Sequence, residues 1–292
     1  MMTLATLSDL GSALSDIVDL QRYPIDRLDS ADGQHMLADA RRGLDSVGCC
    51  CLPNFVKPEA LALMKAEIEA GYEQIFWSEN SHNPYFSKDQ PELAADHPRR
   101  HFERRTSGFF NADLIAASSP MTTLYDSELM RRFVGESLRD THIYCWADPL
   151  GRNPYGVMKP GDYFPWHFDG NAYTVSILVQ EADAGGVFEY APDLRAPDNE
   201  HYPAVAEVLA GSRERVQQLA LKEGDLQIFK GRYSMHRVTA VSGSRNRYIA
   251  LPTYTRDPDT VNNVERSRQI YGRATAVHHE RAALARIDRL SD

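Results

Sequence analysis

The chain of 292 residues is 42% hydrophobic and 25% charged, the make-up of an ordinary globular protein rather than a disordered or fibrous one. Its formal net charge of −9, from 32 Lys and Arg against 41 Asp and Glu, lacks the phosphate-neutralising surplus that nucleic-acid binders need, so no nucleic-acid partner is expected. No apolar run approaches a membrane span, and the N-terminal stretch carries Asp9, Asp16 and Asp19 where a secretory leader would carry Lys or Arg; the expectation is a cytoplasmic protein without a membrane partner.

Residues 1–141 read mainly as helix and loop. Pro58 suits a first helical turn, and Leu61, Met64, Ile68 and Tyr72 then share one face, predicting a helix over 58–72. Cys49, Cys50 and Cys51 are consecutive and Cys145 stands alone, a spacing of neither a disulfide framework nor zinc knuckles; buried thiols are expected. Residues 82–106 are polar, Pro-interrupted and aperiodic, which predicts a long loop serving as a lid.

From 142 onward the chain breaks into short β-rich runs: HIYCWA, YGVM, YFPWHF, AYTVSILVQ, VFEYA, DLQIF, MHRVTAV and RYIALPTYT. Their close spacing predicts a sandwich or jelly roll rather than βαβ units. One helix is expected at 198–210, opened by Asp198 or Asn199 and stopped by Gly211, and a last one at 275–290 with Val277, Leu284 and Ile287 on its apolar side. The organisation that follows is an N-terminal region 1–141 packing on a barrel, the barrel itself over 142–256, and a C-terminal helix in 257–292.

His167-Phe168-Asp169 ends a strand-like run, and in extended chain the i, i+2 spacing puts both side chains on one face. Two other His-x-acid pairs compete. His101 and Glu103 lie among arginines in the polar loop, and His278 and Glu280 lie in a helical pattern where such spacing diverges. Only the first pair has a strand-borne partner downstream, His236. Two imidazoles and a carboxylate form the facial triad of non-haem Fe(II) oxygenases, with three positions left for co-substrate and oxygen. Arg245 and Arg247 follow at the start of the next strand. A guanidinium inside a barrel needs a carboxylate, and the far carboxylate of 2-oxoglutarate would supply it; Arg247 is the stronger candidate, because Arg245 follows the loop residues Ser242-Gly243-Ser244.

The runs PGDYFPWHFDGNAYTVSILVQEADAGGVFEYAP and GDLQIFKGRYSMHRVTAVSGSRNRYIALPTY resemble the 2-oxoglutarate/Fe(II)-dependent oxygenases. Within them the chain is most similar to the branch of free-amino-acid, lysine-type radical halogenases and their hydroxylase relatives. The resemblance covers about residues 142–256. It implies a mainly β fold with flanking helices: a double-stranded β-helix, or cupin-like jelly roll, with a helical N-terminal half and a C-terminal helix. It further implies His167, Asp169 and His236 as iron ligands, Arg247 as the clamp on 2-oxoglutarate, and O2 as the oxidant. Halogenases of that branch carry Gly or Ala where this chain has Asp169, so the resemblance implies a hydroxylase, with succinate and CO2 as co-products. Gly170 and Asn171 follow it and could hold one pocket wall open, or form a plain turn. Trp166, Phe168 and Tyr173 flank the triad and are read either as a dry cavity wall or as core.

A small amino acid needs a cation for its carboxylate and acids for its amines. Arg104 and Arg105 in the expected lid are candidates for the first role; Asp148 and Thr253, near strand ends, are candidates for docking an amine. Two alternatives stay open, a peptide or protein hydroxylase of the same superfamily and a non-catalytic cupin-like ligand binder. A homo-oligomer is compatible with the sequence.

Overall fold

Two antiparallel sheets enclose a cavity in the computed structural model, which describes residues 13–170 and 173–285. Asp9, Asn171, Ile287 and the side chain of Leu284 lie outside the described residues. The strands are β1 (Cys49–Leu52), β2 (Phe76–His82), β3 (Glu103–Phe110), β4 (Tyr144–Cys145), β5 (Tyr155–Met158), β6 (Phe164–His167), β7 (Thr174–Gln180) and β8 (Ala184–Gly185). They continue as β9 (Phe188–Ala191), β10 (Gln217–Leu219), β11 (Leu226–Phe229), β12 (Met235–Val238), β13 (Val241–Ser242), β14 (Arg247–Ala250) and β15 (Tyr254–Thr255). The larger sheet has the order β1-β11-β7-β14-β5-β3-β2 and the smaller β10-β9-β12-β6; β13-β8 and β15-β4 are short ribbons. This is the expected jelly roll. Its strand runs fall close to those read from the sequence, although RYIALPTYT is split into β14 and β15.

The helices are α1 (Ala31–Val47), α2 (Pro58–Ala70), α3 (Pro120–Asp126), α4 (Glu128–Leu138), α5 (Tyr202–Leu209), α6 (Val264–Tyr271) and α7 (Ala276–Ala285). Ser30 opens α1 by accepting the Gly33 N–H at 3.1 Å, and Leu37, Ala40 and Leu44 bury its inner face. Leu61, Met64 and Ile68 of α2 are buried as expected, in the same core as Ile177 and Val179 of β7 and Ile228 of β11. Among the described residues no helix is long and apolar enough to cross a membrane.

Residues 1–141 are not only helix and loop. They contribute β1 to one side of the larger sheet and β2 and β3 to the other, with Cys50 opposite Ile228 and Phe109 opposite Gly156. A run of three cysteines has no visible alternation, and the polar FWSENSH of β2 gains its place from pairing with β3 along its whole length. The long loop is shorter than expected, because β3 begins at Glu103. Cys49 and Cys50 are buried, Cys51 and Cys145 half-buried, and all four are free thiols; burial pushes the Cys50 thiol up to about 11. The helix expected at 198–210 starts later, at Tyr202. Asn199 instead turns the chain ahead of it, accepting the His201 N–H at 2.8 Å, and His201 adopts a left-handed φ of 50°. Helix α6 was not expected, although Asn263 caps it by accepting the Arg266 N–H at 2.8 Å.

Candidate metal centre and its cavity

β12 lies between β9 and β6 and sets His236 directly opposite His167. The register shifts between this pair and Val238–Phe164, so three steps on β6 answer two on β12. This bulge puts Phe164 and His167 on the same, inward side. Asp169 follows two residues after His167, its N–H donating to the Gly231 carbonyl at 3.0 Å.

The three side chains converge. His167 Nε2 lies 3.6 Å and His236 Nε2 3.5 Å from the same Asp169 oxygen, and the three ligand atoms sit within 4.8 Å of one another. Neighbouring ligands of a six-coordinate ion with bonds of about 2.1 Å stand about 3 Å apart, so the two carboxylate–imidazole spacings fit one ion with a small contraction. The proton positions fit as well. His167 Nδ1 meets the Pro165 carbonyl at 2.8 Å and His236 Nδ1 the Ser234 carbonyl at 3.0 Å. A carbonyl can only accept, so each Nδ1 carries the hydrogen and each Nε2 presents a lone pair to the common point. Burial, reinforced by the neighbouring His236, holds the His167 imidazole down at about 3, neutral and able to ligate at physiological pH. Thr174 donates its hydroxyl to the second Asp169 oxygen. Two imidazoles and one carboxylate on one side of a point suit Fe(II) with open positions.

The centre opens into a cavity of about 360 Å³ between the sheets. Arg247, at the start of β14, lines it and is 3% exposed; its guanidinium has no ion-pair partner among the described residues. Gly186 makes the space for it, since a Cβ there would stand 2.8 Å from Arg247 Cδ, and the φ of +61° favours glycine in any case. Burial lowers the Arg247 guanidinium to about 10, still charged at neutral pH. Arg245 is elsewhere. Its guanidinium bonds Glu223 at 2.6 Å, outside the cavity, so it cannot share the clamp role; two steps along the chain reverse nothing in an ideal strand, but Arg245 precedes β14 in the turn after Gly243.

Strand alternation separates the next two candidates. Arg105 and Ser107 face the cavity, the guanidinium lying 4.2 Å over the Phe164 ring, with Arg105 donating to Ser107 Oγ at 3.0 Å. Arg104 points outward and pairs with Glu79 at 2.8 Å on an exposed surface, which removes it as a substrate contact. Asp148 is also removed. It is fully buried, accepts the N–H groups of Leu150, Gly151 and Asn262, and pairs with His278 Nε2 at 3.0 Å. His278 Nδ1 accepts the Thr275 N–H, so the proton sits on Nε2 and points at the carboxylate. Thr253 does line the cavity. Of the flanking aromatics, Tyr173 lines it, whereas Trp166 and Phe168 turn the other way into a separate core with Leu194 and Val205. The rival pair His101–Glu103 is a half-exposed hydrogen bond of 2.9 Å.

Sequence reasoning missed Arg266. It rises from the first turn of α6 into the cavity wall and lies 4.5 Å over the Phe86 ring. Nothing in the pattern NNVERSRQIY tells its direction, which follows from how α6 packs beside β2.

Residues 33–272 match the model of the family described as Halogenase D. No curated protein matches the chain. Among solved structures, AviO1 from Streptomyces viridochromogenes Tue57 is similar at a TM-score of 0.51 and 16% identity, over 77% of this chain and 96% of that one. An oxidoreductase of the 2OG-Fe(II) oxygenase family from Burkholderia pseudomallei aligns at 0.48 and 16% identity, over 76% and 92%.

Proposed function

Because the chain belongs to the Halogenase D family, we propose that it is a 2-oxoglutarate- and Fe(II)-dependent oxygenase that hydroxylates an unactivated C–H bond of a small substrate. The observation that carries this reading is the convergence of His167, Asp169 and His236 in one cavity with a buried guanidinium, Arg247, that has no ion-pair partner among the described residues. Iron, when bound, supplies the activation of O2 at the expense of 2-oxoglutarate. The reaction would then balance with one oxygen atom in succinate, formed with release of CO2, and the other in the product, two electrons coming from the decarboxylation and two from the C–H bond.

The residues of the chain have other tasks. His167 and His236 present neutral nitrogens and Asp169 a negative oxygen, which together balance the charge of a divalent ion down to +1. Arg247 fixes the far carboxylate of 2-oxoglutarate, its fork matching the two oxygens. Phe86, Phe164, Phe188 and Phe229 surround the histidines with ring contacts, keep water away and hold the imidazoles in orientation. The substrate suggested by the resemblance is a free amino acid such as lysine, its carboxylate meeting Arg105.

The family's description favours a second reading, halogenation. Asp169 speaks for hydroxylation, because its oxygen takes the position a halide would need. Oxygen uptake with Fe(II), 2-oxoglutarate, ascorbate and each of the twenty free amino acids tests the proposal, with products weighed by mass spectrometry in buffers with and without chloride. A substrate gaining one oxygen supports it, a substrate gaining chlorine favours the second reading, and tight ligand binding without any succinate would make the protein a binder.

A further inference from the structure

The cavity holds more positive charge than 2-oxoglutarate can balance. Its lining includes three arginines, Arg105, Arg247 and Arg266, and one acid, Asp169, which the metal centre uses. With a divalent ion in place the sum is +2 − 1 + 3, or +4, and 2-oxoglutarate brings it to +2. None of the three guanidiniums has an ion-pair partner among the described residues, although Arg105 is 3% exposed. Buried charge without a counter-charge is rare because desolvation opposes it; a bound anion is the usual resolution.

The surplus is not spread evenly. Burial, reinforced by the charge of Arg266, pulls Arg105 down to about 9, whereas Arg247 is lowered by burial alone; Arg266 is lowered by burial too, with Tyr271 and the Asp169 carboxylate acting the other way. Arg105 and Arg266 also flank the same ligand. Arg105 stacks on Phe164 and Arg266 on Phe86, and both rings touch the His167 imidazole, at centroid distances of 4.2 and 5.6 Å. A further donor stands beside them: Asn262 lines the cavity, and its buried Nδ2 has no hydrogen-bond partner among the described residues. Around these donors the wall is largely apolar, with Phe109, Trp146, Leu251 and Ile270, and the hydroxyls of Ser107, Tyr173 and Thr253 that also line it are neutral. Among the described residues a substrate ammonium would find no carboxylate here besides Asp169, which the metal centre uses.

We propose that Arg105 and Arg266, with Asn262, form a second anion site, separate from Arg247, which takes the carboxylate of a substrate whose remaining body is apolar. The substrate is thus a carboxylic acid without a cationic side chain, and lysine is disfavoured. This rests on the oxygenase reading for the chemistry but not for the binding. Like charges placed together, with the one nearby acid, Asp169, committed to the metal centre, attract one bridging carboxylate, while the largely apolar wall disfavours a second charge.

The test uses the full chain, free of metal, with tryptophan fluorescence reporting on Trp146 in the wall. The probes are 4-methylpentanoate, L-leucine, L-lysine and sodium chloride. 4-Methylpentanoate is expected to bind at least tenfold more tightly than L-lysine, L-leucine to fall between the two because its α-ammonium has no acid to meet, and chloride to bind at least a hundredfold more weakly than 4-methylpentanoate. Arg266→Gln should weaken 4-methylpentanoate tenfold or more, with Arg266→Lys losing less. In the Fe(II)-loaded protein Arg266→Gln should shift the 2-oxoglutarate requirement, read from the visible charge-transfer band, by less than threefold; Arg247→Ala should show the opposite split. Equal binding of lysine, tight binding of chloride, or a larger effect of Arg266→Gln on 2-oxoglutarate than on 4-methylpentanoate would overturn the second site. If the acids bind as expected but never gain oxygen, the oxygenase reading falls and the anion site stands.

Discussion

Gly231 and Asp169 are interlocked. The Gly231 carbonyl accepts the Asp169 N–H at 3.0 Å, and a Cβ on Gly231 would stand only 2.0 Å from an Asp169 carboxylate oxygen. The carboxylate therefore reaches the two imidazoles because the facing turn has no side chain. Gly231→Ala should swing Asp169 aside and weaken Fe(II) binding by roughly ten- to a hundredfold, the usual cost of disturbing the support of a metal ligand. Fe(II) titration of the variant, with its melting temperature as a control for folding, checks this.

His167→Ala and His236→Ala should each weaken Fe(II) more than Gly231→Ala does, beyond roughly a hundredfold, since a ligand and not its support is lost. The charge-transfer band formed by Fe(II) and 2-oxoglutarate is the measurement. A band of undiminished strength in both variants would remove these residues from the metal centre.

Arg247→Ala should raise the 2-oxoglutarate requirement by about ten- to a hundredfold, the equivalent of about 1.5–3 kcal/mol for a charge-assisted pair. Arg245→Ala should change it little, because its guanidinium serves Glu223. The comparison of apparent KM for 2-oxoglutarate decides between them.

In chloride-rich buffer the unmodified protein should give only hydroxylated product. Asp169→Gly should lose most hydroxylation and yield at most a minor chlorinated product, since it removes one of the three candidate iron ligands and leaves the Thr174 hydroxyl without its partner. Mass spectrometry reads both; a chlorinated product from the unmodified protein would show that Asp169 leaves a halide position open.

Asp148 holds a loop and a helix rather than a substrate. Its loss in Asp148→Ala would leave His278 Nε2–H and three backbone N–H groups without an acceptor, and the destabilisation should reach about 3–5 kcal/mol. Urea unfolding measures it, and substrate KM should change far less than stability.

The legible parts of this fold share a property. His167, Asp169, His236 and Arg247 lie on or beside strands whose apolar runs and turn residues are visible along the chain, so both their type and their direction could be read. Arg105 could be chosen over Arg104 only with β3 in hand, because the arginine-rich stretch gave no sign that a strand begins at Glu103. Arg266 was out of reach for a different reason: a helical residue's direction depends on the face its helix buries, and α6 is too polar to declare one. Asp148 misled because an acid near a strand end suits a binding role as well as a buried pair, and its partner, His278, is far away in sequence.

The placement of β1 and β3 on either side of the strands from 142–256 bears on how the protein can be cut or recombined. β1 pairs with β11 and β3 with β5. A fragment starting at residue 142 would keep all the metal ligands yet present β11 and β5 as bare rims, ready to pair with other copies. It would also leave Arg105 behind. The ligand-bearing segment is therefore not a portable module: expressed alone it should aggregate, and grafts that aim to change substrate choice must carry the N-terminal strands along with the barrel.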